Sequence, residues 1–546
     1  MSDRELLFLS LGGAGEIGMN LNLYAYDDQW LMLDLGITFG DEQAPGVDVI
    51  MPDPAFIVER RDKLLGVVLT HAHEDHLGAV AHLWPLLRCP IFATPFAASV
   101  LRRKLTDAGL RDEAIITEVP LGGSFELGPF KLELITMTHS IPEPNAVAIR
   151  TPAGTILHTG DWKIDPEPLL GEVTDEAALR RLGDEGVLAM VCDSTNVFVP
   201  GEAGSEADVR KALTELIGKC RQRVAVTCFA SNLARVESVA HAAEDNGRHP
   251  VLVGRALNRM VEAARENGYL GTMPRTIDEK EAAWLPREKV LMICTGSQGE
   301  NGAAMYRLAN DEHPTLHLEK GDTVVFSSRI IPGNEKSIGR LHNRLVQMGV
   351  EVLTERDAFV HVSGHPARDE LTRLYQWVRP KVAIPVHGEL RHLNEHAKLA
   401  RDIQVPEAIV APNGTVVRLS PGPAEIIDHV FTGRLGLDGT RMIRLDNASL
   451  RPRKQMIFNG AASVTLVADA KGRLLASPRL TVHGFPEGED LDQIRLEALE
   501  AVAKALSGKD IGTDDQARQL SSQAVRRVFK ARLGKRPVTE VEIVRI

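Results

Sequence analysis

Residues 70–78, THAHEDHLG, constrain the fold of this chain more than any other segment. They place His71, His73, Asp75 and His76 within six positions, between a strand-like run, LLGVVLT, and a helix-like run, LGAVAHLWPLL. A polar turn that only caps a helix needs one aspartate and leaves the histidines unexplained. Two imidazoles two residues apart can share one metal ion, while Asp75 and His76 turn toward a second ion, which is an arrangement suited to hydrolysis. The segment therefore predicts a metal-binding loop after a strand.

Four further strand-like runs end in a histidine or an aspartate. LELITMT precedes His139, GTILHTG precedes Asp161, VLAMVC precedes Asp193 and VAIPV precedes His387. Layered α/β proteins collect distant residues at one edge by placing them just past the carboxyl ends of strands. The pattern predicts that these four side chains lie close together.

The chain has 546 residues, which is too long for a single ordinary core. From about 206 to 360, β and α units alternate, as in RVAVTCFASN followed by LARVESVAHAAEDNG, which predicts an inserted parallel-sheet domain. Farther along, strands such as SVTLVADA and TEVEIVRI flank a helix that contains SSQAVRRVFKARLG. We expect a first domain over 1–205 that returns over 361–450 with a linker, an inserted domain over 206–360, and a small C-terminal α/β domain over 455–546.

The segment LGGAGEIGMN contains a G-x-G-x-x-G pattern at Gly13, Gly15 and Gly18. In a dinucleotide-binding turn the third glycine opens a helix, whose free N–H groups hold the pyrophosphate. Here residues 21–35 form two strand-like runs around Asp27-Asp28 instead. We therefore expect a β-turn and no nicotinamide or flavin cofactor.

Charge and cysteine content limit the partners and the compartment. The net charge of −11 argues against a surface that binds polyanions indiscriminately, so any polyanion must be bound locally. The five cysteines are scattered without a C-x-x-C pair, which indicates neither a disulfide framework nor a thiolate zinc site. MSDRELLF lacks a signal-peptide layout and no apolar run reaches membrane-spanning length, so we expect a cytoplasmic protein without a membrane partner. The basic runs 102–104 and 526–536 are typical of solvated helix faces.

Four motifs resemble, in order, those of the metallo-β-lactamase superfamily: Asp34 in LMLDLG, the H-x-H-x-D-H loop, His139 in MTHS and Asp161 in HTGDW. The resemblance implies an αββα sandwich and two zinc ions per chain. It assigns the ligands to two groups, with Asp161 bridging both: His71, His73 and His139 in one, Asp75 and His76 in the other. Asp34 would orient the ligand loop through hydrogen bonds. The superfamily leaves the substrate open, because its members act on lactams, thioesters, lipids and phosphodiesters.

Three downstream motifs match, in order, the A, B and C motifs of the β-CASP nucleases: Asp193 in VCDSTN, His365 in HVSGH and His387 in IPVHGE. The extra α/β domain of those enzymes sits where the 206–360 insertion lies. By this resemblance, His387 completes the second zinc site, and His365, held by Asp193, protonates the leaving oxygen. Asp75 counts as both a ligand and a catalytic residue. A histidine at the third motif resembles the RNA-acting branch, since DNA-acting relatives carry valine there.

Further motifs are similar to those of the bacterial ribonuclease J family and cover the chain from about 11 to 390. They are LGGAGEIGMN, THAHEDH, THSIP, HTGDWK, DSTN, FASN, CTGSQGE, IPGN, HVSGH and PVHGE. The resemblance implies a zinc-dependent enzyme that degrades single-stranded RNA from the 5′ end, prefers a 5′-monophosphate, and allows endonuclease activity. It also implies a homodimer or homotetramer supported by the C-terminal domain.

The same resemblance places the loops FASN and HVSGH beside the metals as a nucleotide pocket. The pocket residues are Ser231, Asn232, His361, Val362, Ser363, Gly364 and His365. Neutral donors and a glycine suit a terminal phosphate, although the same residue types also shape strand-to-helix turns. Two alternatives stay open: a hydrolase of a small ester or thioester, which needs no inserted domain, and a non-catalytic RNA-binding scaffold, against which the intact ligand set argues.

Overall fold

The computed structural model describes residues 4–40, 44–448, 450–506 and 513–546, and these form two compact units. The first unit contains the described residues up to Thr38 together with Ile50–Gly433. The second contains the described residues of Phe39–Val49 together with those of Arg434–Ile546. The domain ranges expected from the sequence stay predictions.

Two sheets form the centre of the first unit. The first sheet contains, in spatial order, the strands Glu425–His429, Thr415–Ser420, Leu6–Gly12, Leu21–Tyr26, Gln29–Leu33, Leu64–Val68, Ile91–Ala93 and Ile116–Glu118. The second contains Ser124–Leu127, Phe130–Thr136, Asn145–Thr151, Gly154–His158, Ala189–Asp193, Val382–Val386 and Glu407–Ala408.

The two sheets face each other across one core. Phe8 and Tyr24 from the first sheet belong to the same buried cluster as Phe130 and Val191 from the second. Helices cover the outer faces: Val80–Leu87 and Pro95–Asp107 beside the first sheet, and Glu176–Glu185, Arg368–Val378 and Leu390–Asp402 beside the second. The predicted αββα sandwich is confirmed.

The inserted segment folds around a parallel sheet, as its alternating pattern predicts. Its strands, in spatial order, are His249–Val253, Val290–Cys294, Val224–Thr227, Thr323–Phe326 and Glu351–Leu353. Every pairing between them is parallel. The connecting helices are Glu206–Lys219, Leu233–Asp245, Arg255–Glu266, Glu279–Trp284, Ala304–Ala309 and Glu335–Gln347.

The second unit also mixes helices and strands. Its three-stranded sheet has the order Arg479–His483, Ala461–Ala468 and Val538–Arg545, and the strands Arg434–Asp438 and Arg441–Arg444 pair separately. Its helices are Leu450–Asn459, Glu489–Leu506 and Asp514–Leu533. The last helix contains the predicted SSQAVRRVFKARLG segment except its final Gly534, which caps the helix. The sequence analysis missed Glu489–Leu506, although buried apolar residues recur there at every fourth position.

Short elements complete the described chain. They are the strands Ala14–Gly15, Thr38–Phe39, Val49–Pro52 and Gly388–Glu389, the helices Ala55–Val58 and Glu74–Leu77, and the 3₁₀ turns Arg61–Lys63 and Arg287–Lys289. One of them corrects an expectation: Asp75 and His76 lie in the one-turn helix Glu74–Leu77, not in an open loop. The predicted helix over residues 77–87 is accordingly shorter and begins at Val80. In the part of the chain that the structure describes, no helix is long and apolar enough to cross a membrane.

The glycine-rich segment forms a turn, as predicted, and no helix follows it. Residues 21–26 and 29–33 pair as an antiparallel hairpin, and Asp27 and Asp28 connect them with φ of 53° and 58°. Ala14–Gly15 pairs with Gly388–Glu389, and the Gly13 carbonyl accepts the His387 N–H at 2.7 Å. The turn therefore supports the segment that follows the strand Val382–Val386.

Candidate metal centre

Three predicted ligands meet where the strands of the sandwich end. His71 Nε2 lies 3.1 Å from His73 Nδ1, and His139 Nε2 lies 3.0 Å from the same atom. For Zn–N bonds of about 2.0–2.1 Å, tetrahedral coordination separates two ligand nitrogens by about 3.3–3.4 Å. The spacing of the three nitrogens therefore suits one small cation.

Hydrogen bonds on the far side of two rings fix the position of their protons. His139 Nδ1 lies 2.5 Å from the Gly364 carbonyl oxygen, which only accepts, so Nδ1 carries the hydrogen and Nε2 carries a lone pair. His71 Nδ1 lies 3.0 Å from Thr70 Oγ1, whose single hydrogen goes to a neighbouring carboxylate, so His71 also donates from Nδ1. Both Nε2 lone pairs therefore point toward His73 Nδ1, the direction in which a shared cation would accept them.

Burial keeps these three imidazoles neutral. It lowers the pKa of His71 and His139 well below the ordinary value, with neighbouring histidines adding to the effect. Burial also lowers the pKa of His73 to about 4, against the opposing influence of Asp75 and Asp161. Neutral imidazole is the form that binds metal, so the group is prepared for a cation.

A second group contains the remaining predicted ligands. Asp161 Oδ2 lies 3.1 Å from His76 Nε2 and 3.3 Å from His387 Nε2, and Asp75 Oδ2 lies 3.6 Å from both nitrogens. Burial lowers the pKa of His76, but the nearby carboxylates outweigh burial and raise that pKa well above its ordinary value. The group therefore attracts positive charge. His387 has a φ of 51°, a left-handed conformation that a non-glycine residue keeps only when its surroundings enforce it.

Asp161, the predicted bridge between the two groups, lies in the second group. Burial raises its pKa, but His387, His76 and His365 outweigh burial and hold that pKa well below the ordinary value, so the carboxylate is charged. Its Oδ1 is buried and has no hydrogen-bond partner among the described residues. A buried, charged oxygen without a partner is costly unless a cation is close to it. The donor set and this oxygen together fit a metal centre.

Asp34 and Asn20 hold the second group from outside. Asp34 is fully buried, accepts the Thr70 N–H at 2.8 Å, and lies 2.7 Å from His76 Nδ1 through Oδ2. His76 therefore presents Nε2 to the centre, as the predicted orienting role of Asp34 requires. Asn20 was not predicted: its Oδ1 lies 3.1 Å from His387 Nδ1, and its Nδ2 donates to the Asp75 carbonyl at 3.0 Å.

The predicted acid pair lies against both groups. His365 Nδ1 is 2.8 Å from Asp193 Oδ2, and its ring lies 5.2 Å from the His139 ring and 5.5 Å from the His387 ring, between centroids. Burial lowers the pKa of His365, but Asp193 and Asp161 outweigh burial and raise it to about 9. A protonated histidine here is placed to donate a proton beside the centre.

The residues after Asp193 connect this pair to its surroundings, a role that the sequence analysis missed. The Thr195 N–H donates to Asp193 Oδ1 at 2.8 Å, and its hydroxyl donates to the His387 carbonyl at 3.0 Å. Asn196 Nδ2 donates to Ser363 Oγ at 2.7 Å and to the His365 carbonyl at 3.1 Å. Residues of the DSTN motif thus hold the Asp193–His365 pair next to the predicted ligand His387.

The predicted pocket residues divide into two loops that one buried arginine connects. Arg235 follows the FASN loop and donates to the Val360 carbonyl at 2.9 Å, next to the HVSGH loop. Asn232 Oδ1 accepts the Arg235 N–H at 3.0 Å and so caps the helix Leu233–Asp245. Ser231 and Ser363 are partly exposed.

Of the other loop residues, Gly364 contacts the centre directly. His361 Nδ1 lies 3.5 Å from Arg235 Nη1, and the Val362 side chain is buried. A Cβ at Gly364 would lie 2.7 Å from the His139 ring, so only glycine allows its carbonyl to reach His139 without displacing that ring. Val362 and Gly364 therefore offer a ligand little beyond their backbone.

Comparison with known proteins covers nearly the whole chain. Four family profiles match: Beta-lactamase superfamily domain over 44–180, Ribonuclease J, beta-CASP domain over 221–345, Zn-dependent metallo-hydrolase RNA specificity domain over 349–410, and Ribonuclease J C-terminal domain over 448–546.

Similar curated proteins match over most of their own length. Ribonuclease J of Sinorhizobium meliloti is 44% identical over 100% of this chain and 98% of the relative. The Corynebacterium glutamicum protein of that name is 40% identical over 88% of this chain and 68% of the relative. The Thermus thermophilus protein is 36% identical over 92% of this chain and 89% of the relative. A solved structure of a protein of unknown function from Enterococcus faecalis V583 covers 76% of this chain and 100% of its own, with a TM-score of 0.51 and 16% identity. At that identity, the likeness concerns the fold alone.

Proposed function

Because the chain belongs to the ribonuclease J family, we propose that it is a zinc-dependent 5′-to-3′ exoribonuclease that prefers RNA with a 5′-monophosphate. Family membership makes it a metal-dependent nuclease that acts on RNA, and it replaces the alternative of a small ester or thioester hydrolase. The observation that carries the proposal is the position of His365, which lies against one ligand from each metal group and is held by Asp193.

Different side chains of the centre have different roles in phosphodiester hydrolysis. Two bound zinc ions would activate the attacking water and offset charge on the phosphate oxygens. Asp193 accepts the Nδ1 hydrogen of His365, which orients the ring and leaves Nε2 to protonate the departing 3′-oxygen. Asp75 and Asp161 contribute carboxylates on the side of His76 and hold positive charge there. The product would carry a 5′-phosphate.

Ser363 is the residue that best supports recognition of the terminal phosphate. Its Oγ accepts hydrogen bonds from Asn196 Nδ2 at 2.7 Å and from the His365 N–H at 3.2 Å. Two accepted bonds occupy the lone pairs of a hydroxyl, so its own hydrogen is left to donate. In the other loop, Asn232 uses Oδ1 for its helix cap, which leaves its amide nitrogen for a phosphate oxygen.

The test uses otherwise identical RNAs that carry a monophosphate, a triphosphate or a hydroxyl at a labelled 5′ end. We expect release of labelled mononucleotides, fastest from the monophosphate. A hydroxyl end would leave the Ser363 hydroxyl and the Asn232 amide without a phosphate partner, and a triphosphate adds bulk and charge beside them. Equal rates on all three ends would contradict the phosphate preference, and internal fragments without mononucleotides would indicate an endonuclease instead.

Two serine variants locate the pocket. Ser363→Ala removes the hydroxyl and should reduce the preference for a monophosphate. Ser337→Ala is the matched control, because Ser337 lies on the helix Glu335–Gln347 and its hydroxyl contacts only Arg340 among the described residues. Unchanged end preference in Ser363→Ala would remove Ser363 from the pocket.

Two further parts of the proposal concern the context of the enzyme. We expect single-stranded RNA to be the substrate in RNA processing and decay, and a homodimer or homotetramer to be the assembled form. The cytoplasmic location stays a prediction from the sequence. Light scattering of the purified protein tests the oligomeric state.

A further inference from the structure

The pocket described above lacks one property that its substrate demands, and this inference rests on the proposed function. Ser231, Asn232 and Ser363 are neutral donors, whereas a phosphate monoester carries about −1.5 to −2 charges near neutral pH. Neutral donors recognise the oxygen atoms, but a nearby cation distinguishes a charged end from a hydroxyl end much more strongly. The cations around the HVSGH loop are therefore the candidates for this role.

Three cations influence His361 in that loop. Burial lowers the pKa of His361 well below its ordinary value, and the charges of Arg235, Arg329 and Lys163 lower it further. Two of the three are buried and neutralised by carboxylates. Arg235 lies 3.0 Å from Glu206, and Lys163 lies 2.8 Å from an aspartate, with neither cation exposed to solvent. Both therefore serve the structure and are not available to a ligand.

Arg329 is the third cation, and it is accessible. Its side chain is 47% exposed, and the nearest carboxylate, that of Glu355, lies 3.9 Å from Nε. Its Nη1 donates to Asn196 Oδ1 at 3.1 Å, and Asn196 donates in turn to Ser363 Oγ at 2.7 Å. The guanidinium is thus two hydrogen bonds from the hydroxyl that is left to donate. Of its five N–H donors, the Asn196 contact uses one.

The backbone around Arg329 is fixed in place. Gln298 is 5% exposed, and its Nε2 donates to the Arg329 carbonyl at 2.8 Å. Its Oε1 accepts the Ile331 N–H at 2.9 Å. A cation on a fixed loop loses less entropy on binding than one on a mobile loop, which favours a binding role over a purely solvated one.

We propose that Arg329 pairs with the 5′-terminal phosphate of the RNA beside Ser363, and that it is the residue that sets the preference for a charged 5′ end. Guanidinium binds phosphate through two parallel N–H groups, and most of the donors of Arg329 are free for this. The bond to Asn196 would orient the guanidinium, so that Arg329 and Ser363 approach the phosphate from neighbouring positions.

The test compares kcat/KM on RNA with a 5′-monophosphate to kcat/KM on the same RNA with a 5′-hydroxyl. In Arg329→Gln we expect this ratio to fall by about 10- to 100-fold, the range for losing a hydrogen bond to a charged group. Arg329→Lys retains the charge and should recover part of the ratio. Arg265→Gln is the matched control, because Arg265 is an exposed arginine of the inserted segment with no described side-chain contact. Its ratio should equal that of the wild type.

Three outcomes would overturn the inference. A wild-type preference that survives in Arg329→Gln excludes Arg329 and leaves the proposed function intact. An equal loss on both RNAs, with the slope of log KM against log salt reduced by about 0.7, means that Arg329 binds an internal phosphate instead. A wild type without any end preference contradicts the proposed function itself. Metal content and thermal unfolding of each variant show whether a loss reflects misfolding.

Discussion

Gly13 shows how a single residue decides whether distant ligands can meet. A Cβ at this position would lie 2.1 Å from Asn20 Oδ1, the atom that contacts His387, and its φ of 90° is one that side chains rarely adopt. Gly15, two residues on, has a φ of 98° but no neighbour closer than 3.9 Å. The glycine pattern that resembles a dinucleotide-binding motif therefore leaves space for Asn20, which contacts the candidate ligand His387.

Alanine substitutions at Gly13 and Gly15 distinguish the effect of backbone strain from that of a steric clash with Asn20. Both Gly13→Ala and Gly15→Ala impose an unfavourable φ, at about 1 kcal/mol or more of stability each. Only Gly13→Ala should also displace Asn20 and weaken metal binding, because its Cβ meets the Asn20 side chain. Metal titration and thermal unfolding of both variants check this. Equal metal affinity in the two variants would show that Asn20 does not depend on Gly13.

Asp34 gives a second prediction for a single residue. Asp34→Asn removes the charge that holds His76 Nδ1 at 2.7 Å, while keeping the shape of the side chain. We expect metal affinity to fall by about 10- to 100-fold, as is usual for a residue that orients a ligand. Asp322→Asn is the control, because Asp322 is equally buried but pairs with Arg287 in the inserted segment, away from the candidate ligands. Equal metal affinities of both variants and the wild type in a chelator competition assay would contradict the orienting role of Asp34.

At the scale of elements, the strand ends explain why much of the site was predictable. Each ligand follows a run of apolar residues, and the neighbouring strands Gly154–His158, Ala189–Asp193 and Val382–Val386 are parallel, so their carboxyl ends share one edge. Asn20 was not predictable in this way, because its contact with His387 spans 367 positions and no local pattern marks it. The roles of Thr195 and Asn196 likewise depend on contacts formed only in the folded chain.

Substitutions at Asn232 test whether this residue acts only as the N-cap of the helix Leu233–Asp245. Asn232→Asp retains the Oδ1 that accepts the Arg235 N–H, so we expect stability close to that of the wild type. It also replaces the amide donor by a negative charge, which should repel a terminal phosphate and raise KM for 5′-monophosphate RNA.

The contrasting variant loses both properties. Asn232→Ala removes the cap, which typically costs about 0.5–2 kcal/mol, together with the amide donor. Thermal unfolding and KM should therefore both change in Asn232→Ala, but only KM in Asn232→Asp. If Asn232→Asp has the KM of the wild type, Asn232 is a cap alone.

At the scale of the whole molecule, the centre joins parts of the chain that are far apart in sequence. Its candidate ligands run from His71 to His387, and the inserted segment lies between Asp161 and His387. The unfolded chain cannot hold these side chains together, so metal bound to the folded state adds to the free energy of unfolding. Catalysis and stability should therefore depend on the same ions.

Metal removal is the prediction that follows for the whole chain. We expect about two zinc ions per chain by elemental analysis, and loss of both activity and thermal stability after exhaustive chelation. At a free metal concentration 100 times the dissociation constant, one site adds about 2.7 kcal/mol to the free energy of unfolding. His73→Ala and Asp161→Ala should abolish hydrolysis while leaving the fold largely intact.

These ligand variants should also show a smaller difference in Tm between the metal-bound and metal-free forms, because each removes a donor from the centre. His317→Ala is the control, since His317 is exposed and pairs with Asp311, outside the candidate ligand groups. Its difference in Tm should equal that of the wild type. Full activity in chelated protein, or a wild-type Tm that does not respond to metal, would mean that the three imidazoles and the buried Asp161 oxygen are held together by the fold without an ion.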